Sequence, residues 1–194
     1  MKIKHIAVIL IVLGFLQGCA GRPIEEMNNA TEAVTRAEND ADAVKYAGGT
    51  VARAQEALRR MQDNADSKRY DAARVNAAEA ISLAEKAIEE GKSGVSVAAN
   101  EAANEAAALI AALKPAIAET GQAISNAKIA GLDIDFNAMD RDLENVRSLT
   151  GQAESALSAS QYSQALDSGR NARANLGDIN IRLTTAVTAA SPKK

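Results

Sequence analysis

Apolar residues recur at alternating spacings of three and four along most of the chain, which is the spacing of one helix face. The first half carries three such stripes. The first is followed by Tyr46-Ala47-Gly48-Gly49, where glycine suits a left-handed helix end, and Thr50 can cap the next helix. The second stops at the polar segment 66–69, and the third closes at Gly91 and Gly94. The positions are Met27, Ala30, Val34, Ala37, Ala41 and Val44; Ala54, Leu58, Met61 and Ala65; and Tyr70, Ala73, Ala77, Ala80, Ala84 and Ala87.

The second half follows the same plan with three further stripes, the first of which ends at Ala130-Gly131. Pro115 lies inside that stripe, and a proline in a helix interior removes a hydrogen bond and bends the helix. Beyond residue 23 no segment has a strand-like pattern. The stripe positions are Ala106, Ile110, Leu113, Ile117, Thr120, Ile124 and Ala127; Leu143, Val146, Thr150, Ala153 and Leu157; and Tyr162, Ala165, Gly169, Ala172, Leu176, Ile179, Leu183 and Ala186.

The two halves align with each other at two different offsets. A shift of 92 residues superimposes Tyr70 on Tyr162, and a shift of 83 superimposes Gly48 on Gly131. The difference of nine residues predicts an insertion around residues 132–140 of the second half. A tyrosine after a polar break in both halves distinguishes this alignment from the chance matching of two alanine-rich helices.

The pattern as a whole predicts an all-α fold of about six antiparallel helices. A three-helix unit over residues 24–91 is duplicated over residues 95–190, and a polar tail follows at residues 191–194. Units of this kind form an elongated bundle or a helical-hairpin array.

A polar break precedes each of the two tyrosines, as Asp66-Ser67-Lys68-Arg69-Tyr70 and as Ser158-Ala159-Ser160-Gln161-Tyr162. Each break resembles the turn of tetratricopeptide-type hairpins, in which a tyrosine opens the second helix and small residues allow close helix approach. Residues 46–87 also resemble an alanine-rich helical domain of unknown function found in envelope lipoproteins. The resemblance implies a helical envelope protein and implies no reaction.

The first residues have the pattern of a bacterial export signal. Lys2 and Lys4 precede an apolar run from Ile6 to Leu16, which is too short for a membrane span and suits a signal peptide. Leu16-Gln17-Gly18-Cys19 then resembles the lipobox of bacterial lipoproteins. That resemblance implies cleavage after residue 18, a diacylglycerol on the Cys19 thiol, and a lipidated linker at residues 19–23. An ordinary secretory signal and a plain membrane helix are the alternatives.

Lipidation at Cys19 would hold the protein on a membrane, because two or three acyl chains anchor a protein stably. In enteric bacteria an aspartate after the cysteine retains a lipoprotein in the inner membrane, and this chain has Ala20. For a Gram-negative source, the resemblance therefore implies the periplasmic face of the outer membrane.

Composition then excludes several classes of function. Removing the first 18 of 194 residues leaves 176 and changes the net charge from −3 to −5, because Lys2 and Lys4 are lost. An acidic chain without a basic cluster is not expected to bind nucleic acid. His5 is the single histidine and Cys19 the single cysteine, so the processed chain has no Ser-His or Cys-His pair and no histidine metal site. We therefore expect no enzyme activity and no cofactor.

One segment carries a weak calcium pattern. Asp133, Asp135, Asn137 and Glu144 occupy positions 1, 3, 5 and 12 of an EF-hand loop, where calcium prefers oxygen ligands. Position 6 is Ala138 instead of glycine, and other positions also depart from the pattern. The alternative is an inter-helix loop in which Asp135 or Asn137 caps the next helix.

These observations favour a non-enzymatic, membrane-anchored scaffold whose helices bind a protein partner or a second copy of the chain. A helical-hairpin array leaves a groove for a peptide or helix. The alternative is a structural spacer or coiled-coil oligomer between membrane and cell wall. A carrier of a small apolar ligand is a third hypothesis, and it needs a roomy pocket between the helices.

Overall fold

A computed structural model describes residues 21–190 of the chain. Within that range the chain forms five α-helices and no strand, which confirms the all-α prediction. The helices are α1 (Ile24–Asn39), α2 (Ala41–Asp66), α3 (Tyr70–Ile129), α4 (Phe136–Ser158) and α5 (Tyr162–Ala190). The number is five rather than the predicted six, because α3 continues where two separate helices were expected.

The chain divides into two compact units, the first ending at Ser96 and the second beginning at Val97. The 60-residue helix α3 contributes to both. The first unit contains α1, α2 and the beginning of α3, and the second contains the rest of α3, α4 and α5. In each unit three helical segments surround a core of their own.

Gly91 and Gly94 lie inside α3 and do not end a helix, contrary to the prediction. A Cβ atom on Gly91 would lie 2.6 Å from the backbone nitrogen of Ala43 in α2. A Cβ atom on Gly94 would contact the Cβ atom and ring of Tyr46. The glycines therefore allow α3 to approach the first turns of α2 more closely than any side chain permits.

The predicted left-handed glycine cap at Gly48-Gly49 is wrong, because α2 continues through both glycines and neither has a positive φ. A local kink nevertheless lies there, at Ala47, whose φ of −128° and ψ of 26° are not helical. The separation between α1 and α2 comes earlier, at Asp40. Its carboxylate accepts hydrogen bonds from the backbone N–H groups of Asp42 at 3.0 Å and Ala43 at 2.8 Å, which is an N-cap.

Thr50 lies within α2 instead of capping a helix. Its hydroxyl donates a 2.6 Å hydrogen bond to Oε2 of Glu90 in α3. Pro115 likewise lies inside α3, whose helix extends on both sides of it. The predicted capping role of Thr50 is therefore wrong, whereas Pro115 lies inside one helix, as its position within a single apolar stripe predicted.

The internal repeat is visible in the turns that precede the two tyrosines, which are the first residues of α3 and α5. Arg69 N–H donates to the Asn64 carbonyl at 2.8 Å, and Gln161 N–H donates to the Ala156 carbonyl at 2.8 Å. The other turn hydrogen bonds also correspond at the offset of 92 residues. In each turn the next-to-last residue is left-handed, Lys68 with φ of 59° and Ser160 with φ of 58°. Both turns are therefore Schellman motifs built without glycine.

The glycine match at the offset of 83 residues does not survive in the structure. Gly131 has φ of 66° and ends α3, whereas its predicted counterpart Gly48 lies within α2. The corresponding feature of the two units is the N-cap, because Asp135 accepts a 2.9 Å hydrogen bond from Ala138 N–H as Asp40 does from Ala43 N–H. The units therefore match at the start of their second helix as well as at its end.

Glycine at the left-handed positions should stabilise the protein. We expect Lys68→Gly and Ser160→Gly each to raise the free energy of unfolding by about 1 kcal/mol, because a side chain in this conformation costs about that much. The same change one residue earlier, Ser67→Gly or Ala159→Gly, should give no gain, since φ is negative there (−79° and −85°). Chemical denaturation of the four variants measures the difference. If glycine changed the free energy of unfolding equally at the left-handed residue and at the residue before it, the assignment of backbone strain to Lys68 and Ser160 would be contradicted.

The two cores differ in side-chain size. The buried residues of the first unit are mostly alanine, with Val34, Val51, Met61 and Leu83 as the larger members. The second unit buries larger side chains: Leu113, Ile117, Ile124, Met139, Leu143, Val146, Leu176, Ile179 and Leu183. Small side chains let helices pack closely but bury little area. Each buried residue of the first unit therefore contributes less stabilisation from dispersion contacts and from apolar burial.

Candidate functional site

The predicted lipidation site lies outside the described residues. Cys19, the signal at residues 1–18 and the first two residues of the linker at 19–23 precede the described range, and the tail at 191–194 follows it. Among the helices within residues 21–190, none combines the length and apolar character needed to cross a membrane.

The structure distributes the calcium candidates over a loop and a helix. Asp133 lies in the loop before α4, and Asp135 caps α4 by accepting the hydrogen bond from Ala138 N–H. Asn137 and Glu144 lie within α4, where the Glu144 carboxylate pairs with Arg147 at 3.1 Å. No three carboxylates, histidines or cysteines of residues 21–190 are grouped closely enough to hold a metal ion. The capping role proposed as the alternative is the one observed for Asp135.

The charged side chains form ion pairs on helix surfaces. Lys128 pairs with Asp140 at 2.7 Å across the loop between α3 and α4, and Lys114 pairs with Glu154 at 2.7 Å. In the first unit, side-chain hydrogen bonds from Arg59 lower the pKa of Glu56. A backbone hydrogen bond at the start of α1 lowers the pKa of Glu26, and the guanidinium of Arg74 adds to this. These are exposed pairs, which contribute little stability and indicate no catalytic arrangement.

The buried polar residues of the second unit are satisfied within the protein. Thr120 of α3 donates a 3.0 Å hydrogen bond to Oδ1 of Asn180 in α5, and Thr150 donates a 2.8 Å bond to the Val146 carbonyl. Among the described residues no buried side-chain nitrogen or oxygen lacks a hydrogen-bond partner.

Two open grooves follow one another along α3 and α5 in the second unit. We call the first the arginine groove; its volume is about 550 Å³. Leucine side chains form its floor, alanines form the α3 wall, and arginines lie on α5. Its lining residues are Glu105, Ala108, Leu109, Ala112, Leu113, Ala116, Arg170, Arg173 and Leu176.

The second groove, which we call the threonine groove, has a volume of about 780 Å³ and no charged lining residue. The hydroxyls of Thr184 and Thr188 each donate a 2.8 Å hydrogen bond to the backbone carbonyl four residues earlier, so they are satisfied inside α5. Between the two grooves, the hydrogen bond from Thr120 to Asn180 joins α3 to α5. The lining residues are Ala123, Asn126, Ala127, Ala130, Leu132, Asn180, Leu183, Thr184, Val187, Thr188 and Ala190.

The sequence predicted that a helical array would leave a groove free, but it did not indicate which residues line that groove. The available signal was a second apolar stripe on α3, beside the core stripe, that includes Leu109, Ala112 and Ala116. Alanine is the most frequent residue of the chain and favours helix on any face, so this stripe did not stand out.

Comparison of the chain with known proteins gives no relative from which to infer a function. No protein-family model matches it, and no curated protein and no solved structure matches it.

Proposed function

We propose that this chain is a lipid-anchored protein of a bacterial envelope whose helical body binds another protein and catalyses no reaction. The anchor would be a diacylglycerol on Cys19, with the body held at the periplasmic face of the outer membrane. The sequence Leu16-Gln17-Gly18-Cys19 supports the anchor. The acidic, histidine-poor composition supports a binding role over a catalytic one.

The observation that carries the binding role is the pair of open grooves along α3 and α5 of the second unit. Three helical segments pack there around a leucine and isoleucine core, and the α3–α5 side is left without a covering helix among the described residues. A groove between two helices with an apolar floor is the surface on which proteins bind an amphipathic helix. Both grooves are open and have several alanines in their lining, which suits the binding of a helix better than the enclosure of a small molecule.

Metabolic labelling tests the anchor. In a Gram-negative host fed an alkyne-bearing palmitate analogue, we expect the full chain to carry the label and to fractionate with the membrane. Cys19→Ala should abolish labelling and leave the precursor uncleaved, because the thiol that accepts the diacylglycerol is gone. Labelling that survives Cys19→Ala, or no labelling of the original chain, would contradict the proposal.

Cross-linking in the envelope tests the binding role. Photoreactive amino acids placed singly at exposed positions of both units should yield a discrete cross-linked species from a contiguous set of positions. Absence of cross-links from all positions, with normal expression and labelling, would show that the anchored body binds no protein.

A further inference from the structure

We propose that the arginine groove binds an acidic amphipathic helix of a partner protein, with a carboxylate of that helix paired to Arg173. This inference rests on the proposed function, that the helical body binds another protein. It goes further by naming the surface and the chemistry of the partner. Three properties of the groove support it: its shape, the uncharged stretch of α3 between Glu105 and Lys114, and an arginine that has no ion pair within residues 21–190.

The shape of the groove suits an α-helix. Ala108, Ala112 and Ala116 follow each other at a spacing of four, so their methyl groups form a straight ridge along α3. Leu109 is half-buried and Leu113 is 2% exposed, and both provide an apolar floor. Small side chains on the wall allow a third helix to approach at the 8–10 Å axis separation typical of packed helices.

Between Glu105 and Lys114, the exposed face of α3 along this groove carries no charge. Residues 106–113 contain no charged residue, although four of them, Ala107, Ala108, Ala111 and Ala112, are exposed. In the first unit, residues 79–90 of the same helix carry five charges: Glu79, Glu85, Lys86, Glu89 and Glu90. Depletion of charged residues is the compositional mark of the centre of a protein–protein interface.

The groove has a net positive rim because one of its two arginines has no ion pair in the described part of the chain. Arg170 is neutralised by Glu105, whose carboxylate lies 2.8 Å from the guanidinium. Arg173, one turn further along α5, makes no ion pair and no hydrogen bond to any residue within 21–190. A partner helix in the groove would place this guanidinium at the edge of an apolar contact, where a carboxylate complements it and an ammonium is repelled.

Two synthetic peptides serve as probes. Both are 20-residue amphipathic helices with the same leucine and alanine stripe; one carries glutamates beside the stripe and its twin carries lysines at the same positions. Binding to the full lipidated chain in lipid nanodiscs is followed by fluorescence anisotropy. We expect the glutamate peptide to bind at least about tenfold more tightly than the lysine peptide, and its affinity to fall with added salt.

Charge reversal at the groove provides the decisive variant. Arg173→Glu should reverse the preference between the two peptides, because the carboxylate then repels the glutamate peptide and attracts the lysine peptide. Arg53→Glu is the matched control, since Arg53 is an exposed arginine in α2 that also has no ion pair within the described residues. It should leave both affinities unchanged, and circular dichroism should show both variants folded.

Three results would overturn the inference. The first is equal affinity of the chain for the two peptides, and the second is an unchanged peptide preference in Arg173→Glu. The third is displacement of the glutamate peptide by oleate, which would assign the groove to a fatty-acid carboxylate.

Cross-linking in the envelope distinguishes failure of this inference from failure of the proposed function. Cross-links from other positions but none from Ala112 would retain the binding role and reject this groove, with Ala118 as the exposed α3 control outside it.

Discussion

Ile179→Ala is expected to lower the free energy of unfolding of the second unit by about 2–5 kcal/mol. Ile179 is fully buried in α5 (0% exposed), where it belongs to the leucine and isoleucine core formed with α3 and α4. Truncation removes its apolar contacts and leaves a cavity that three packed helices close only in part.

Ile181→Ala is the matched control for this substitution. Ile181 lies two residues further along the same helix and is 65% exposed, so the same loss of atoms should change stability by less than about 0.5 kcal/mol. Because the chain has two compact units, a single melting transition need not be two-state. Amide hydrogen exchange in α4 and α5 therefore measures the effect directly. Equal loss of protection in both variants would show that Ile179 does not lie in a packed core.

Gly91→Ala is expected to destabilise the first unit by about 1–3 kcal/mol, the usual cost of inserting atoms into a packed contact. The new methyl group would lie 2.6 Å from Ala43 nitrogen and 2.8 Å from Ala43 Cα, and these backbone atoms cannot move without disturbing the N-cap at Asp40. This clash outweighs the gain of about 1 kcal/mol that alanine normally brings to a helix interior.

The same chemical change should have the opposite sign where the helix surface is open. A Cβ atom on Gly177 in α5 or Gly151 in α4 would have no neighbouring atom of residues 21–190 within 4 Å, apart from its own helix backbone and chain neighbours. Gly177→Ala and Gly151→Ala should therefore raise the free energy of unfolding by about 0.5–1 kcal/mol. Urea titrations of the three variants measure the signs. A stabilising effect of Gly91→Ala would contradict the close approach of α2 and α3.

The helical content and the two repeated turns could be predicted from sequence because both depend on local interactions. The spacing of apolar residues identifies a helix face within a few turns, and a polar break before Tyr70 or Tyr162 indicates a chain reversal. The structure adds that both turns are Schellman motifs whose hydrogen bonds involve residues close in sequence. Such motifs form from the same short segment wherever it occurs.

The helix boundaries at glycines could not be predicted in this way. Gly48, Gly91 and Gly131 look equivalent in sequence, yet only Gly131 ends a helix. Glycine weakens a helix by only about 1 kcal/mol, which packing against a neighbouring helix readily exceeds. Whether glycine ends a helix or allows a close contact thus depends on a helix that is distant in sequence.

The candidate sites also differ in whether local sequence or distant contacts define them. The lipobox at Cys19 is a short linear motif, and its prediction stays a sequence-based proposal because it lies outside residues 21–190. The arginine groove joins α3 residues near 110 to α5 residues near 173, about 60 positions apart in the chain. No periodicity within one helix reveals which second helix borders it.

The sequence by itself determined that this protein is helical, that its plan occurs twice, and that two similar turns separate its paired helices. These properties follow from side-chain spacing and backbone hydrogen bonds over a few residues. Only the tertiary structure decided that α3 is one continuous helix, that Asp40 separates α1 from α2, and that Arg173 lies beside an apolar groove with no ion pair among residues 21–190. These features depend on contacts between residues far apart in sequence, whose energies exceed the small local preferences that a sequence displays.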